Sequence, residues 1–270
     1  MEERLRILAL GDVVGKAGRR ALTLLLHDYK RAHAVDLAIV NAENAAGGRG
    51  MTEAVVDEIF KAGADLLTSG DHVFGHKEIA ARLDNDPRMV RPLNLPGRAA
   101  GRGLTLLRHE ADTVAVINLM GRTFMPPVAN CPFEAAERAV EEARKYTNII
   151  VVDFHAEATS EKVAMGWYLD GRVSFVFGTH THIQTADERI LPAGTAYITD
   201  LGMTGPYDSV IGRKKERILA HILTGMPTPF DVAKNDSRIC GALVEIDRKS
   251  GRALTIERVQ ERAPEGERAS

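Results

Sequence analysis

Val173-Ser174-Phe175-Val176-Phe177-Gly178-Thr179-His180-Thr181-His182 begins as an apolar run and stops in two imidazoles. A short run of β-branched and aromatic residues has the pattern of a strand buried on both faces. Polar side chains placed where such a strand ends face the crevice beyond the carboxyl ends of an open α/β sheet, where ligands bind. The same arrangement recurs at Leu10-Gly11-Asp12, Val40-Asn41-Ala42-Glu43-Asn44, Ser69-Gly70-Asp71-His72 and Asp153-Phe154-His155. Five strand ends thus carry metal-competent residues, and parallel packing of those strands would bring them together although they are distant in the chain.

Outward from these ends, strand-like and helical patterns alternate. Strands are predicted at Leu5–Leu10, Leu37–Asn41, Asp65–Ser69, Val114–Leu119, Ile149–Phe154 and Val173–Gly178, and helices at Arg19–Ala32, Thr52–Ala62, about Pro132–Tyr146 and near Glu161–Tyr168. This alternation is that of an α/β sandwich. After Thr195 come Ala196–Thr199, a helical stretch near Lys214–Leu223, and two alternating strands, Gly241–Ile246 and Leu254–Val259, which read as a closing hairpin. With no Pro/Ser/Gly-rich linker, one domain over residues 1–261 is expected, followed by a frayed tail over 262–270.

A net charge of −2, from 35 basic and 37 acidic side chains, gives no broad positive field and argues against a dedicated DNA binder, while a small anionic substrate fits. Cys131 and Cys240 form no zinc or redox motif, which fits a reducing compartment. No apolar run approaches the roughly 20 residues of a membrane span, and Met-Glu-Glu-Arg-Leu is no signal peptide, so the expected setting is the cytoplasm, away from membranes. A homo-oligomer is expected only on base rates.

His180 and His182 stand two apart, a spacing that on extended backbone sets both imidazoles on one face. Asp153 and His155 share it, and Asp153 reads better as an acceptor orienting an imidazole than as a ligand. Three histidines with several carboxylates and no thiolate form a mixed N/O donor set suited to iron, manganese, cobalt, nickel or zinc rather than calcium. So many donors point to two ions, bridged by a carboxylate such as Glu43. Such a pair, about 3.5–4 Å apart, would hold a hydroxide for in-line attack on a phosphoryl group.

Gly11 to Gly18 lies between a strand and a helix but misses the P-loop pattern by one residue, with Ala17 where a hydroxyl is needed. Gly15 and Gly18 are better read as turn and packing glycines, and Gly47, Gly48 and Gly50 as a positive-φ loop. Arg49 and Arg122 can each clamp a phosphate, although an isolated arginine is more often a solvated surface residue. His27, His33, His109 and His221 fall outside the strand-end pattern, and His76 reads as a surface or supporting residue.

At these segments the chain resembles the metallophosphoesterases, and more closely their YmdB-like bacterial branch, associated with 2′,3′-cyclic nucleotide phosphodiesterase activity. The likeness runs through Gly11–Gly15, Asn41–Asn44, Ser69–Val73, Asn118–Arg122, Asp153–Lys162, Gly178–His182 and Asp200–Pro206. It implies a metallophosphoesterase-like sandwich of mixed β-sheets flanked by helices, with a dinuclear site at the strand C-terminal ends. It further implies that Asp12, Glu43, Asn44 and His182 surround one metal, that Glu43, Asp71, His155 and His180 surround the other, and that His72 is catalytic. The family usually places asparagine where Asp71 stands; an aspartate still ligates, and its extra charge should tighten metal binding while lowering Lewis acidity. Val14 replaces the histidine of the wider Asp-x-His motif, which shifts that ligand role to other donors such as Asn44.

The expected activity is metal-dependent hydrolysis of a small phosphodiester, foremost a 2′,3′-cyclic nucleotide, with iron or manganese as the leading ions and zinc or cobalt as substitutes. His72 would give a proton to the departing alkoxide or stabilise phosphoryl charge. The alternatives are a phosphomonoesterase and a metal-stabilised regulatory protein that binds a nucleotide or an RNA end.

Overall fold

The computed structural model of the protein describes residues 3–126 and 128–264. Its strands are β1 (Arg4–Leu10), β2 (Asp12–Val13), β3 (Leu37–Asn41), β4 (Leu66–Thr68), β5 (Leu104–His109), β6 (Asp112–Met120), β7 (Ile149–His155), β8 (Phe175–Thr179), β9 (Arg189–Ile190), β10 (Ala196–Ile198), β11 (Met203–Pro206), β12 (Ser237–Asp247) and β13 (Ala253–Arg262). The helices are α1 (Gly15–Ala32), α2 (Glu53–Lys61), α3 (Ile79–Asn85), α4 (Pro132–Ala143), α5 (Thr159–Leu169) and α6 (Lys215–Thr224).

The strands form two mixed sheets. One runs β2-β11-β12-β1-β3-β4, with β13 also paired to β12; the other runs β5-β6-β7-β8-β10-β9. Alternation along β1 shows why they stack. Leu8 and Leu10 pack with Leu22, Leu26 and Val56 on the helix side, whereas Leu5, Ile7 and Ala9 pack between the sheets with Val116, Val151 and Phe177. Ile117, Ile150 and Val152 then bury the far face of the second sheet against Ala136, Val140 and Met165 of α4 and α5. The order is helix, sheet, sheet, helix, the expected sandwich.

Strands β1, β3 and β4 are mutually parallel, as are β6, β7, β8 and β10. Their carboxyl ends therefore gather along one edge of each sheet. The two edges meet inside the molecule: Asn41 Nδ2, at the end of β3, donates to Asp153 Oδ2 of β7 across 3.0 Å.

Several expectations shift in detail. The first helix starts at Gly15 rather than Arg19, because Gly15 takes φ +56 at the turn and Gly18 lies too close to the Thr204 carbonyl to admit a side chain. The closing hairpin is present but longer, and Arg262, assigned to a frayed tail, pairs with Arg238 at the end of β13 and reaches Asp236 at 2.8 Å. The rest of that tail from Glu265 onward lies outside the described residues. Among the described residues no helix is long and apolar enough to cross a membrane.

Candidate metal centre

Every strand-end residue singled out in the sequence comes to the meeting of the two sheet edges. Asp12 lies in β2, fully buried, and its Oδ2 accepts the His180 amide at 3.0 Å. Glu43 and Asn44 occupy the turn after β3, where the Glu43 amide donates to Asn41 Oδ1 at 3.2 Å. Asp71 follows β4 after Gly70, and a side chain at Gly70 would collide with the Glu43 carboxylate and the His155 ring. His155 is the last residue of β7. The extended geometry expected for His180 and His182 does not hold. β8 stops at Thr179, and the two histidines take φ +100 and +65, so the chain turns at each and aims them at different neighbours.

His180 faces the first cluster. His155 Nε2 is 3.1 Å from Glu43 Oε2, 3.1 Å from Asp71 Oδ1 and 3.0 Å from His180 Nδ1. Glu43, Asp71, His155 and His180 each present one donor atom, all within 4.8 Å of one another, as a metal ion requires. His182 turns to a second group: its Nε2 is 3.0 Å from Asn44 Oδ1 and 3.9 Å from Asp12 Oδ1. Asp12 Oδ1 is fully buried and has no hydrogen-bond partner. An orphaned buried carboxylate oxygen costs several kcal/mol unless a cation meets it, on the order of magnitude of a buried ion. Asp12, Asn44 and His182 thus form a second donor group beside the first.

The protonation pattern carries the same signature. Burial raises the Asp12 carboxyl above its ordinary value although His182 and His155 oppose it. At Glu43 burial works upward, but the charge and hydrogen bond of His155 and a hydrogen bond from His72 together bring it down to about 2. Burial disfavours an imidazolium at His155, yet Glu43, Asp71 and Asp12 hold its pKa well above the usual range. The pocket is a concentration of negative charge, of the kind that a cation offsets.

His72 sits at the rim with 32% of its side chain exposed. Its Nδ1 is 3.3 Å from Glu43 Oε1 and 3.3 Å from Asn44 Nδ2, and its Nε2 is 3.5 Å from Asp71 Oδ2. The Glu43 hydrogen bond, working against partial burial, raises its pKa above 6.5.

A model of the YmdB-like protein family matches residues 8–259. The chain belongs to the YmdB-like family. Among its relatives is the 2′,3′-cyclic-nucleotide 2′-phosphodiesterase of Bacillus subtilis, 47% identical over 255 residues that cover 94% of this chain and 96% of that one. A novel phosphatase from Mycoplasma pneumoniae has a crystal structure that superposes with TM-score 0.92 at 34% identity, covering 97% of this chain and 95% of that one. A hypothetical protein from Thermus thermophilus superposes with TM-score 0.89 at 42% identity, covering 96% of this chain and all of that one. The sandwich is accordingly the metallophosphoesterase fold.

In this YmdB-like chain the groups behind the cluster are Asp153, read from the sequence as an orienting acceptor, and others that the sequence left unassigned. Asp153 does orient an imidazole, but through Thr179, whose hydroxyl donates to Asp153 Oδ1 at 2.7 Å and lies 2.9 Å from His155 Nδ1. Burial pushes the Asp153 carboxyl up to about 6, with His155 and the hydrogen bonds of Thr68, Thr179 and Asn41 restraining the rise. Glu157 Oε2 is 3.0 Å from His180 Nε2. Buried Lys162 donates to Asp200 Oδ2 at 2.6 Å, and the same oxygen accepts the Thr181 hydroxyl at 2.7 Å, bracing the turn between the two histidines. Thr179, Glu157, Lys162 and Asp200 all fall in segments that carried the family resemblance, which was the available signal. His27, His33, His109 and His221 have local partners elsewhere: the Lys61 carbonyl, the Tyr29 ring, Asp36 and the Met226 carbonyl. Gly47, Gly48 and Gly50 all take positive φ, as read.

Proposed function

We propose that the protein is a dinuclear-metal phosphodiesterase acting on 2′,3′-cyclic nucleotides, with Asp12, Asn44 and His182 holding one ion, Asp71, His155 and His180 the other, and Glu43 shared. The observation that carries this reading is the convergence of all seven side chains, in a chain 47% identical to a 2′,3′-cyclic-nucleotide 2′-phosphodiesterase along nearly its whole length. Ions bound there supply Lewis acidity and an ionised water at neutral pH. The oxygen and imidazole donors favour iron or manganese, with zinc and cobalt as substitutes. Two free thiols, Cys131 and Cys240, support a reducing, cytoplasmic setting.

His72 is the proton donor in this scheme. It is the one imidazole of the group that is a third exposed at the rim, and its contacts with Glu43 and Asp71 raise its pKa, which favours the protonated form. A protonated His72 can deliver its proton to the ribose oxygen as it leaves phosphorus. A phosphodiesterase and a phosphatase among the relatives matched along nearly their whole length favour this reading over a purely regulatory role.

The test is hydrolysis of a 2′,3′-cyclic nucleotide and of bis-p-nitrophenyl phosphate, with metal content measured on the same sample before and after chelation. We expect about two ions per chain, loss of turnover on chelation, recovery with manganese or iron, and release of the nucleoside 3′-phosphate. Two bound ions with neither ester cleaved would move the substrate outside phosphodiesters.

A further inference from the structure

Arg49 lies in the turn after β3, and among the described residues its exposed guanidinium has no hydrogen-bond or ion-pair partner. Its neighbours are not so placed. Arg19 is bonded to Glu58 and to the Ala45 carbonyl, both at 2.6 Å, and Arg213 to the carbonyls of Gly48 at 2.7 Å and Phe230 at 2.9 Å.

The backbone that carries Arg49 is fixed from three sides. The Gly48 amide donates to the Asn44 carbonyl at 3.0 Å, the Ala46 amide donates to the Gly50 carbonyl at 2.9 Å, and Arg213 holds the Gly48 carbonyl from outside. Gly50 then presses on the turn that follows β4. A Cβ at Gly50 would stand 3.1 Å from Gly75 Cα and 3.2 Å from the His72 carbonyl oxygen, and a Cβ at Gly75 would stand 3.1 Å from Arg49 Cγ. The stem of Arg49 therefore lies across Gly75, on the turn that presents Asp71 and His72, near enough for its charge to act on the His72 ring.

The carboxylates of the cluster do not take this arginine. Glu43 and Asp71, 1% and 5% exposed, are turned inward to His155. A guanidinium has five donors in one plane and no acceptor, a geometry that matches two oxygens of a phosphoryl group. A phosphodiester that presents its ribose oxygen to His72 brings its non-bridging oxygens to the same rim.

We infer that Arg49 is a substrate-binding residue whose guanidinium holds the non-bridging phosphoryl oxygens, with Gly48, Gly50 and Gly75 giving its turn the close packing that keeps it beside His72. The inference rests on the reading of the site as that of a phosphodiesterase and adds the side chain that recognises the charge of the substrate.

The probe is inorganic phosphate, titrated by calorimetry into the metal-loaded full chain freed of excess metal, with turnover of a 2′,3′-cyclic nucleotide measured on the same preparations. Arg49 has no partner to lose, so Arg49→Ala should keep the melting temperature and metal content of the parent. It should bind phosphate roughly 10–100-fold more weakly, as for loss of a charge-assisted contact, and raise KM by a similar factor with a smaller change in kcat. Arg49→Lys, which keeps the charge without the planar fork, should fall between the two. Phosphate bound by Arg49→Ala within about twofold of the parent would overturn the inference, as would loss of metal from that variant. Arg49→Lys equal to the parent would overturn the forked contact, and a parent that binds no phosphate at millimolar concentration would overturn the assignment of Arg49 altogether. Phosphate binding that depends on Arg49, without cleavage of the cyclic nucleotide, leaves the contact standing and removes the substrate reading.

Discussion

His72 and Gly70 lie two residues apart and fail in different ways when replaced. His72 touches Glu43 and Asp71 from the open side of the cluster, so its removal leaves the donors in place. His72→Ala should keep its metal content and lose roughly 10²–10⁴-fold in turnover, the range for general acid–base work, which steady-state rates and metal analysis on one preparation will check. Gly70→Ala should do the reverse at the level of binding. Its new methyl would occupy space held by the Glu43 carboxylate and the His155 ring, and one of them must move. We expect fewer than two ions per chain and a loss of about 1–3 kcal/mol in stability, as for overpacking, and a full metal complement would contradict the geometry. Asp12, Glu43, Asp71, His155, His180 and His182 were legible as candidate ligands because each stands where an apolar strand ends, whereas the ligand role of Asn44 and the catalytic role of His72 came with the family resemblance. The backing residues Thr179 and Glu157 were not, since a hydroxyl or carboxylate becomes a partner only through a neighbour in space, and Thr179 meets Asp153 across two strands. The positive φ of His180 and His182 was equally hidden, because nothing in a non-glycine side chain announces it.

Elements were legible in proportion to the apolar pattern they carry. β3, β7 and β8 are buried at every position and were read nearly to the residue. β2 and β9 have two residues each, too few to show any period, and β11, Met-Thr-Gly-Pro, has the composition of a turn and becomes a strand only by pairing with β2 and β12. Helix α3 was missed because it has seven residues and buries only Ile79 and Leu83. Pro87 ends α3 by forcing Asp86 out of the helical region, and ion pairs hold that cap. Asp86, at its C-cap and 8% exposed, accepts Arg88 Nη2 at 2.8 Å and Arg82 Nε at 3.1 Å. The Arg88 hydrogen bonds, against the opposing effect of burial, lower its carboxyl from 3.8 to about 2. A carboxyl with a depressed folded-state pKa stabilises above its unfolded value, and that stability drains away as the pH falls through the folded one. Asp86→Asn should therefore cost about 1–2 kcal/mol at pH 7, discounted for the partly exposed arginines. The gap between parent and variant in urea unfolding should begin to close below about pH 4 and vanish near pH 2. A gap independent of pH would mean that the ion pairs contribute nothing.

For the whole molecule, the site lies on the seam between the two sheets rather than on one surface. Asp12, Glu43, Asn44 and Asp71 come from the edge of the first sheet, and His155, His180 and His182 from the edge of the second. Protein bonds already cross that seam, including Asn41 to Asp153 and Asp12 to the His180 amide, but Asp12 Oδ1 remains buried without a partner and three carboxylates crowd His155. Ions at this place would bind donors of both sheets at once and relieve the repulsion that otherwise pushes the two edges apart. Binding confined to the folded state stabilises by RT ln(1 + [L]/Kd), about 2.7 kcal/mol for one site at a hundredfold excess over Kd. At about 2–4 °C per kcal/mol for a chain of this size, exhaustive chelation should lower the melting temperature by roughly 5–10 °C, and manganese or zinc should restore it in a concentration-dependent way. Hydrogen exchange on the chelated protein should show the loss of protection concentrated in the turns after β3, β4 and β8, where the donors lie, with the strand cores of both sheets unchanged. A melting temperature that ignores chelation, in protein shown to have released its ions, would mean that the seam is held by the protein's own hydrogen bonds and that the metals serve chemistry alone.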